Sequence, residues 1–354
     1  MNFHGGDIYS VKSNNILDFS SNINPLGVPE SFKNALIENI NDFIRYPDIK
    51  YTELKNTIKD YIGIDSIEHI VQGNGAVEII YKAIGAVKCN KAYIVSPTFS
   101  EYRRAVELNN VKCEEIDVFD QEYMSIDIEK LLHKVEKNSL VIVCNPNNPT
   151  GSLIKRDTMI ELLEKLKVIK STLIIDEAFI EFTPNSDENT MIPLISRYNN
   201  LIIVRAATKF FGMPGIRLGY GVTGNMEYIN NIKEKLEPWN INTAAVIAGN
   251  TIFKDKDYIK KSKEWIGVER EFLYNELNKF EELKVYKSNA NFHLLKINKS
   301  SMNAYELKDM LVKEGILIRV PKGFYNLSDM HFRLAIKDRT SNKVLISKLK
   351  NIFK

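Results

Sequence analysis

The stretch SLVIVCNPNNPTGSLIKRDTMIELLEKL, residues 139–166, passes from an apolar run through an Asn- and Pro-rich loop into a segment with helical apolar spacing. A continuous apolar run is typical of a strand that is buried on both faces of a sheet. The same order recurs from about residue 69 to 224, where the apolar runs are HIVQ, AYIVSP, STLIIDEAF and LIIVRAATKFFG. The alternation predicts an α/β fold whose large domain has three layers, α, β and α, around a mostly parallel sheet.

The C-terminal third has a different pattern. A long helical segment, DYIKKSKEWIGVEREFLYNELNKFEEL, precedes the short strand-like segments VYKS, FHLLKI, ILIRV and HFRLAIK. A second helical segment, AYELKDMLVKEG, lies among them, which indicates a smaller α+β domain. We therefore expect an N-terminal arm (residues 1–40), a large domain (41–238) and a small C-terminal domain (239–354).

Composition excludes several classes of protein. The 354 residues carry a net charge of +3, which gives no strong field for nucleic acid or an anionic membrane. Three widely spaced cysteines indicate neither a disulfide framework nor a zinc site, and the five histidines lack metal-ligand spacing. The first residues, MNFHGGDIYS, do not resemble a signal peptide, and no apolar stretch approaches the roughly 20 residues that span a bilayer. These features predict a cytoplasmic protein without a metal site.

Polar features follow several of the predicted strands, and the carboxyl ends of parallel strands meet at one edge of a sheet. Taken singly, each feature is compatible with a tight turn, a helix cap or a solvated loop. Taken together they supply an anion cradle, an amide, a carboxylate, an amine and a second cation. They are the turn GNGAVE with Gly75, Ala76 and Val77, the loop NPNNPTG with Asn148, Asp176 in IIDEAF, and Lys209 and Arg217 in RAATKFFGMPGIRLGYG.

A lysine in an apolar stretch such as the surroundings of Lys209 is costly unless it is paired or neutral. Pyridoxal 5′-phosphate uses all of these groups. A neutral amine forms a Schiff base with its aldehyde, and a carboxylate pairs with its pyridinium nitrogen. An amide donates to its phenolic oxygen, and a glycine-rich turn with an arginine binds its phosphate. The sequence therefore predicts this cofactor.

The set formed by Asn148, Asp176, Lys209 and Arg217, in this order and in these contexts, resembles the aspartate-aminotransferase superfamily, fold type I of the pyridoxal-phosphate enzymes. The resemblance extends over nearly the whole chain. Within that superfamily the sequence is most similar to the histidinol-phosphate aminotransferase group and to the threonine-phosphate decarboxylases of the cobalamin pathway. The resemblance implies that the large domain binds the cofactor.

The resemblance also implies roles for single residues. Lys209, Asp176 and Asn148 would be catalytic, as the Schiff-base lysine, the pyridinium partner and the donor to the phenolic oxygen. The cofactor would in addition be bound by Gly75, Ala76, Val77, Phe99, Thr208 and Arg217, and by Tyr46 of the neighbouring subunit in a homodimer. Two departures, Ala206 in place of a serine and Phe179 in place of a tyrosine, imply that the cofactor has fewer hydrogen bonds here.

The substrate expected from the resemblance is a small phosphorylated amino acid. Arg333 would bind its carboxylate and Arg319 its phosphate. The N-terminal HGGDIY and the segment ILDFSSNINPLGVPES resemble the decarboxylase branch, as does PWNINTAA at residues 238–245. His4, Gly5 and Gly6 would close over the substrate as a lid, and Asn24 would orient its polar end.

These features predict decarboxylation of O-phospho-L-threonine to 1-aminopropan-2-ol phosphate. An aminotransferase that acts on histidinol phosphate or a related amino acid with 2-oxoglutarate is the alternative. A non-catalytic domain that binds the cofactor is a third interpretation. His293 lies in a predicted strand and is either an interior histidine or part of the substrate mouth.

Overall fold

The computed structural model describes residues 4–11, 16–120, 122–299 and 301–353. Residues 1–3 and 12–15 of the expected N-terminal arm lie outside the described residues. Within the described ranges the chain forms twelve strands. They are β1 (Leu17–Asp18), β2 (Ile70–Asn74), β3 (Lys91–Ser96), β4 (Lys112–Asp117), β5 (Leu140–Cys144), β6 (Thr172–Asp176), β7 (Leu201–Ala206), β8 (Leu218–Val222), β9 (Leu283–Val285), β10 (Phe292–Ile297), β11 (Ile316–Leu317) and β12 (His331–Ala335).

The same described ranges contain thirteen α-helices and several short 3-10 turns. The helices are α1 (Glu30–Glu38), α2 (Thr52–Ile62), α3 (Ala76–Ala86), α4 (Glu101–Leu108), α5 (Ile128–Leu132), α6 (Arg156–Val168), α7 (Ser186–Asn189), α8 (Ala207–Phe210), α9 (Met226–Lys233), α10 (Thr243–Ile252), α11 (Lys256–Leu277), α12 (Ala304–Lys313) and α13 (Arg339–Ile352).

Seven strands form the central sheet in the order β2, β8, β7, β6, β5, β3, β4. Strands β7, β6, β5, β3 and β4 are parallel to one another, whereas β8 is antiparallel to both β7 and β2. The mixed α/β fold with a mostly parallel sheet is therefore confirmed. β8 runs in the opposite direction because it follows β7 through only a short helix and turn, too short for a parallel crossover.

Both faces of this sheet are buried, as the continuous apolar runs predict. In β5, Val141 and Val143 pack into one hydrophobic cluster, whereas Leu140 and Ile142 pack into the other. Strands β6 and β7 divide their side chains between the clusters in the same way. Helices α3, α4 and α9 contribute to the second cluster, and α2, α6 and α10 contribute to the first. Alternating side chains therefore hold helices on both faces of one sheet.

The C-terminal residues form a separate antiparallel sheet in the order β12, β10, β9. Strand β11 pairs in parallel with β1, and Phe19 accepts a hydrogen bond from the N–H of Ala335. The N-terminal residues are thereby joined to the C-terminal sheet. The division of the chain at residues 40 and 238 stays a prediction, since this pairing connects the first expected segment to the last.

Two features of the fold bear on function. His293 on β10 is 1% exposed and does not line the cavity at the carboxyl-terminal edge of the central sheet. Its Nε2 is 3.2 Å from the backbone oxygen of Arg270. Burial lowers the pKa of His293 to about 4, so it is a neutral interior histidine. None of the helices in the described ranges combines the length and the apolar character needed to cross a membrane.

Candidate active site

A cavity of about 400 Å³ opens at the carboxyl-terminal edge of the central sheet. Strands β2, β3, β5, β6 and β7 each lead into a segment that lines it. Most residues predicted for the site lie in its wall. These are His4, Gly5, Ala76, Val77, Phe99, Asn148, Asp176, Thr208, Lys209, Arg217 and Arg333. Tyr46, Gly75, Gly6, Asn24 and Arg319 do not line it.

One end of the cavity is built to bind an anion. Helix α3 begins at Ala76, directly after Gly75, and the first N–H groups of a helix have no partner within the helix. Gly75 has φ +84°, and a Cβ atom there would lie 2.3 Å from Nη2 of Arg217. Glycine therefore lets the guanidinium approach the start of the helix. Together these groups form a compact site for a phosphate.

Lys209 lies in α8, immediately after β7. Burial lowers the pKa of its amine to about 8, with further contributions from Arg217 and Arg333, while Asp176 acts in the opposite direction. At neutral pH the neutral fraction of this amine is two to three orders of magnitude larger, by a rough estimate, than that of an unperturbed lysine. The surroundings of Lys209 thus favour the nucleophilic form of the amine.

Asp176 ends β6 and is 5% exposed. Its Oδ1 accepts a hydrogen bond of 2.9 Å from the N–H of Ala178, and its Oδ2 accepts one of 2.6 Å from the hydroxyl of Tyr102. Burial raises its pKa, although both hydrogen bonds and Lys209 act to lower it. A desolvated carboxylate of this kind is suited to pair with a cation inside the cavity.

Arg333 on β12 lies at the opposite side of the cavity. Its Nη1 donates to Oδ1 of Asn148 and its Nη2 to the backbone oxygen of Ser20, both at 2.5 Å. Its Nε is buried without a hydrogen-bond partner among the described residues. Burial, with a smaller effect of Arg319, lowers the pKa of Arg333 to about 9. An anion in the cavity would offset the free-energy cost of burying this guanidinium group.

Arg319 is adjacent to Arg333 through a pair of backbone hydrogen bonds, but it does not line the cavity. Its Nη2 donates to the backbone oxygen of Lys322, and its guanidinium lies 4.9 Å from the ring centroid of Phe324. Burial lowers its pKa to about 10. Arg319 is thus a second buried cation, behind the wall of the cavity and outside its lining.

The N-terminal glycines rest on the edge of the cavity. The N–H of Gly6 donates to Oγ of Ser20 at 2.8 Å, and a Cβ atom on Gly5 would lie 2.0 Å from the backbone oxygen of Ser20. His4 contacts Glu101, with 2.9 Å between Nε2 and Oε1. The structure therefore brings the N-terminal segment to the cavity, and it requires glycine at position 5.

Asn24 is not brought to the cavity. Its Nδ2 donates to the backbone oxygen of Phe210 and to Oγ of Ser262, each at 2.7 Å, and its Oδ1 accepts from the N–H of Leu26. All polar groups of this amide are used to join the N-terminal residues to α8 and α11. A structural role therefore replaces the expected contact with the substrate.

Several residues of the cavity wall were not predicted as site residues. Asn22 lies two positions before Asn24 and lines the cavity with Ser20 and Ser21, and its buried Oδ1 has no partner among the described residues. The motif SSNIN holds both asparagines, but residues two apart share one side of an extended segment, so its spacing does not show that only Asn22 faces the cavity. Glu101 and Tyr102, in the segment TFSEY that follows β3, also line the cavity.

Tyr46 does not line this cavity and lies on an exposed surface. Its side chain is 75% exposed and stacks on Trp239, with 4.5 Å between ring centroids. Large apolar side chains near it in sequence are also exposed, namely Ile37, Ile40, Phe43, Ile44 and Ile49. Such an apolar surface is typical of a protein interface.

The residues present fit pyridoxal phosphate. The helix start and Arg217 suit its phosphate, the desolvated Asp176 suits its ring nitrogen, and Lys209, with its pKa lowered to about 8, suits its aldehyde. Ala206 lies in the cavity wall, where no hydroxyl is available to the phosphate, and Phe179 lies there in place of a tyrosine. Among the described residues, no group of three or more potential ligand side chains is placed to hold a metal ion.

Comparison with known proteins gives matches over nearly the whole chain. The sequence profile of the family described as aminotransferase class I and II matches residues 14–349. A protein of Caldanaerobacter subterraneus, provisionally named a threonine-phosphate decarboxylase, is 42% identical over 350 residues, 99% of this chain and 94% of the relative. The threonine-phosphate decarboxylase of Salmonella typhimurium is 31% identical over 355 residues, 99% of this chain and 96% of the relative.

A solved structure is similar as well. The crystal structure of the histidinol-phosphate aminotransferase from Clostridium acetobutylicum superposes with a TM-score of 0.90 at 40% identity and covers 96% of this chain and 99% of that chain. The relatives thus carry the names of two reactions within one family. The chain belongs to the class I and II aminotransferase family, and its cofactor is pyridoxal 5′-phosphate.

Proposed function

We propose that this protein decarboxylates O-phospho-L-threonine and releases 1-aminopropan-2-ol phosphate, a precursor in cobalamin biosynthesis. The observation that carries this proposal is the N-terminal His-Gly-Gly segment, which resembles the decarboxylase branch and rests at the mouth of the cavity. Gly5 contacts Ser20 too closely for any side chain, and His4 reaches Glu101 in the cavity wall. The relatives named threonine-phosphate decarboxylase support the same reaction.

The charge around the cavity supports a substrate with two anionic groups. Arg333 and Arg319 are 5% and 8% exposed, and neither forms an ion pair with a carboxylate among the described residues. Burying an unpaired guanidinium is costly, so both side chains favour a bound anion. We assign the substrate carboxylate to Arg333, which lines the cavity, and the phosphate to Arg319 with the N-terminal segment. Arg319 must turn toward the cavity in this assignment.

The cofactor, when bound, supplies an electron sink for the bond that breaks at the α-carbon of the substrate. With the cofactor bound, Asp176 would pair with the ring nitrogen, and the α3 start with Thr208 and Arg217 would hold the phosphate. Lys209, whose amine is desolvated, would hold the aldehyde. Its Nζ, after accepting a proton from the substrate ammonium group, would deliver that proton to the α-carbon in place of the carboxylate that leaves as CO₂.

Which bond breaks depends on the orientation of the substrate, because only a bond perpendicular to the cofactor ring is weakened. The phosphate is the end of the substrate farthest from the α-carbon, so binding it would fix the orientation of the substrate. The N-terminal segment together with Arg319 would bind this phosphate. The second candidate function is an aminotransferase for histidinol phosphate or a related amino acid with 2-oxoglutarate. The high similarity to the solved histidinol-phosphate aminotransferase favours that candidate.

We also propose that the protein is a homodimer in which Tyr46 reaches the cofactor phosphate of the other subunit. The exposed apolar side chains around Tyr46, and its absence from the wall of the cavity in its own chain, support this assembly.

Replacement of Lys209 tests the assignment of the cofactor. In Lys209→Ala, borohydride reduction is expected to leave no covalently attached cofactor, whereas wild-type protein gains the mass of one reduced cofactor per chain. Lys337→Ala is the matched control, because Lys337 is also buried near the cavity but has no assigned role. Mass spectrometry gives the readout. Attachment that persists in Lys209→Ala would contradict the assignment.

A paired assay tests the reaction. Purified enzyme is given O-phospho-L-threonine alone and, separately, histidinol phosphate with 2-oxoglutarate. We expect CO₂ from the first mixture and little glutamate from the second. Glutamate from the second mixture without CO₂ from the first would establish the aminotransferase instead. Bound cofactor with no turnover in either mixture would favour a non-catalytic domain.

The role of Arg319 is tested by comparing substrates with and without phosphate. Arg319→Ala is expected to lower kcat/KM for O-phospho-L-threonine roughly 30-fold, the scale of a lost charge-assisted hydrogen bond. The low residual activity on L-threonine should change much less. The kcat/KM of Arg319→Lys for O-phospho-L-threonine should lie between those of wild type and Arg319→Ala, because lysine keeps the charge. Equal losses on both substrates would remove Arg319 from the phosphate site.

Mixed dimers test the contribution of Tyr46. Lys209→Ala and Tyr46→Ala chains are each expected to be nearly inactive when alone. A mixed dimer has one site with wild-type Lys209 and a wild-type Tyr46 from the partner, so random mixing should restore about a quarter of wild-type activity. Absence of restored activity, when chromatography shows that mixed dimers have formed, would place Tyr46 in the site of its own subunit or outside it.

A further inference from the structure

The hydroxyl of Tyr102 contacts the carboxylate that faces the cofactor ring. It donates a hydrogen bond of 2.6 Å to Oδ2 of Asp176. Tyr102 lies on α4 and is 0% exposed, and its ring meets that of Phe99 edge to face at 5.6 Å. The bond therefore joins the helix that follows β3 to the end of β6, within the wall of the cavity.

The two oxygens of Asp176 are held by different elements. Oδ1 accepts from the N–H of Ala178 and Oδ2 accepts from Tyr102. Two donors from separate directions prevent rotation of the carboxylate about its terminal torsion, which is otherwise broad. The remaining lone pairs of the Asp176 carboxylate therefore keep a fixed orientation. Asp176 lines the cavity.

We propose that Tyr102 is a positioning residue for the cofactor, whose hydroxyl holds the Asp176 carboxylate in the orientation and ionised form that pair with the protonated ring nitrogen. This inference rests on the cofactor and is independent of whether the substrate loses its carboxylate or its amino group. Asp176 remains the residue that touches the ring, and Tyr102 acts through it.

Four ionisable neighbours determine the charge of Asp176, namely Tyr102, Lys209, Glu177 and Cys144. Burial raises the pKa of Asp176, the Tyr102 hydroxyl and Lys209 lower it, and Glu177 raises it. Burial also raises the pKa of the Cys144 thiol, so the thiol stays neutral. Without the Tyr102 hydroxyl the carboxyl would hold its proton to higher pH, and a protonated carboxyl cannot pair with a pyridinium.

The test measures binding of pyridoxamine 5′-phosphate to the apoenzyme, because this ligand has the same ring and phosphate but does not attach to Lys209. We compare dissociation constants of wild type and Tyr102→Phe between pH 8 and pH 5.5. The ratio is expected to reach roughly tenfold at pH 6, the scale of a lost hydrogen bond to a charged group. It should shrink toward pH 8, where the carboxyl is ionised in both proteins.

Tyr220→Phe is the matched control, since Tyr220 is 1% exposed and its hydroxyl has no partner among the described residues. It should bind the ligand as wild type does. Tyr102→Phe keeps the ring that packs on Phe99, and circular dichroism checks its fold. In an Asp176→Asn background, where no carboxyl can gain a proton, the effect of Tyr102→Phe should not depend on pH.

Two outcomes would overturn the proposal. A ratio of one at every pH would show that the hydroxyl does not support Asp176. A constant ratio above one would show that the hydroxyl supports binding of the ligand without controlling the proton on Asp176. Failure of wild-type protein to bind the ligand would reject the cofactor itself, whereas binding without CO₂ release would reject only the proposed reaction.

Discussion

Burial of the Lys209 amine is the constraint on which the site depends. A lysine at the end of a buried strand is tolerated only if its amine loses its proton or finds a negative partner. Both conditions are met in part, because burial and two arginines lower the pKa of Lys209 to about 8 while Asp176, in the same cavity, acts in the opposite direction. Burial also raises the pKa of Asp176, so it disfavours the charged form of both groups. Each group therefore depends on a ligand or a neighbouring residue to stabilise its charged form.

The N-terminal residues complete this arrangement from the other end of the chain. Ser20 accepts a hydrogen bond from Arg333 through its backbone oxygen and one from Gly6 through its hydroxyl. Gly5 packs against that same backbone oxygen. The N-terminal glycines and Arg333 are therefore in contact with one residue, Ser20.

The parts of the site that sequence reasoning predicted are those that follow strands. Ala76, Asn148, Asp176 and Lys209 each come within a few residues of an apolar run, so the parallel sheet brings them to one edge. Asn24 does not line the cavity, and its amide bonds instead to Phe210, Ser262 and Leu26. Nothing in local spacing distinguishes Asn24 from Asn22. The direction of each side chain depends on contacts with residues far along the chain, Phe210 for Asn24 and Asn291 for Asn22.

The sequence by itself determined the alternation of strands and helices, the family resemblance and the cofactor. These depend on local periodicity and on residues that follow predicted strands. Tertiary structure alone decided that Tyr102 donates to Asp176, that Arg333 reaches Asn148 and Ser20, and that Arg319 bonds to Lys322 and does not line the cavity. The physical reason is that a hydrogen bond between side chains far apart in the chain depends on packing angles and burial, which no local pattern encodes.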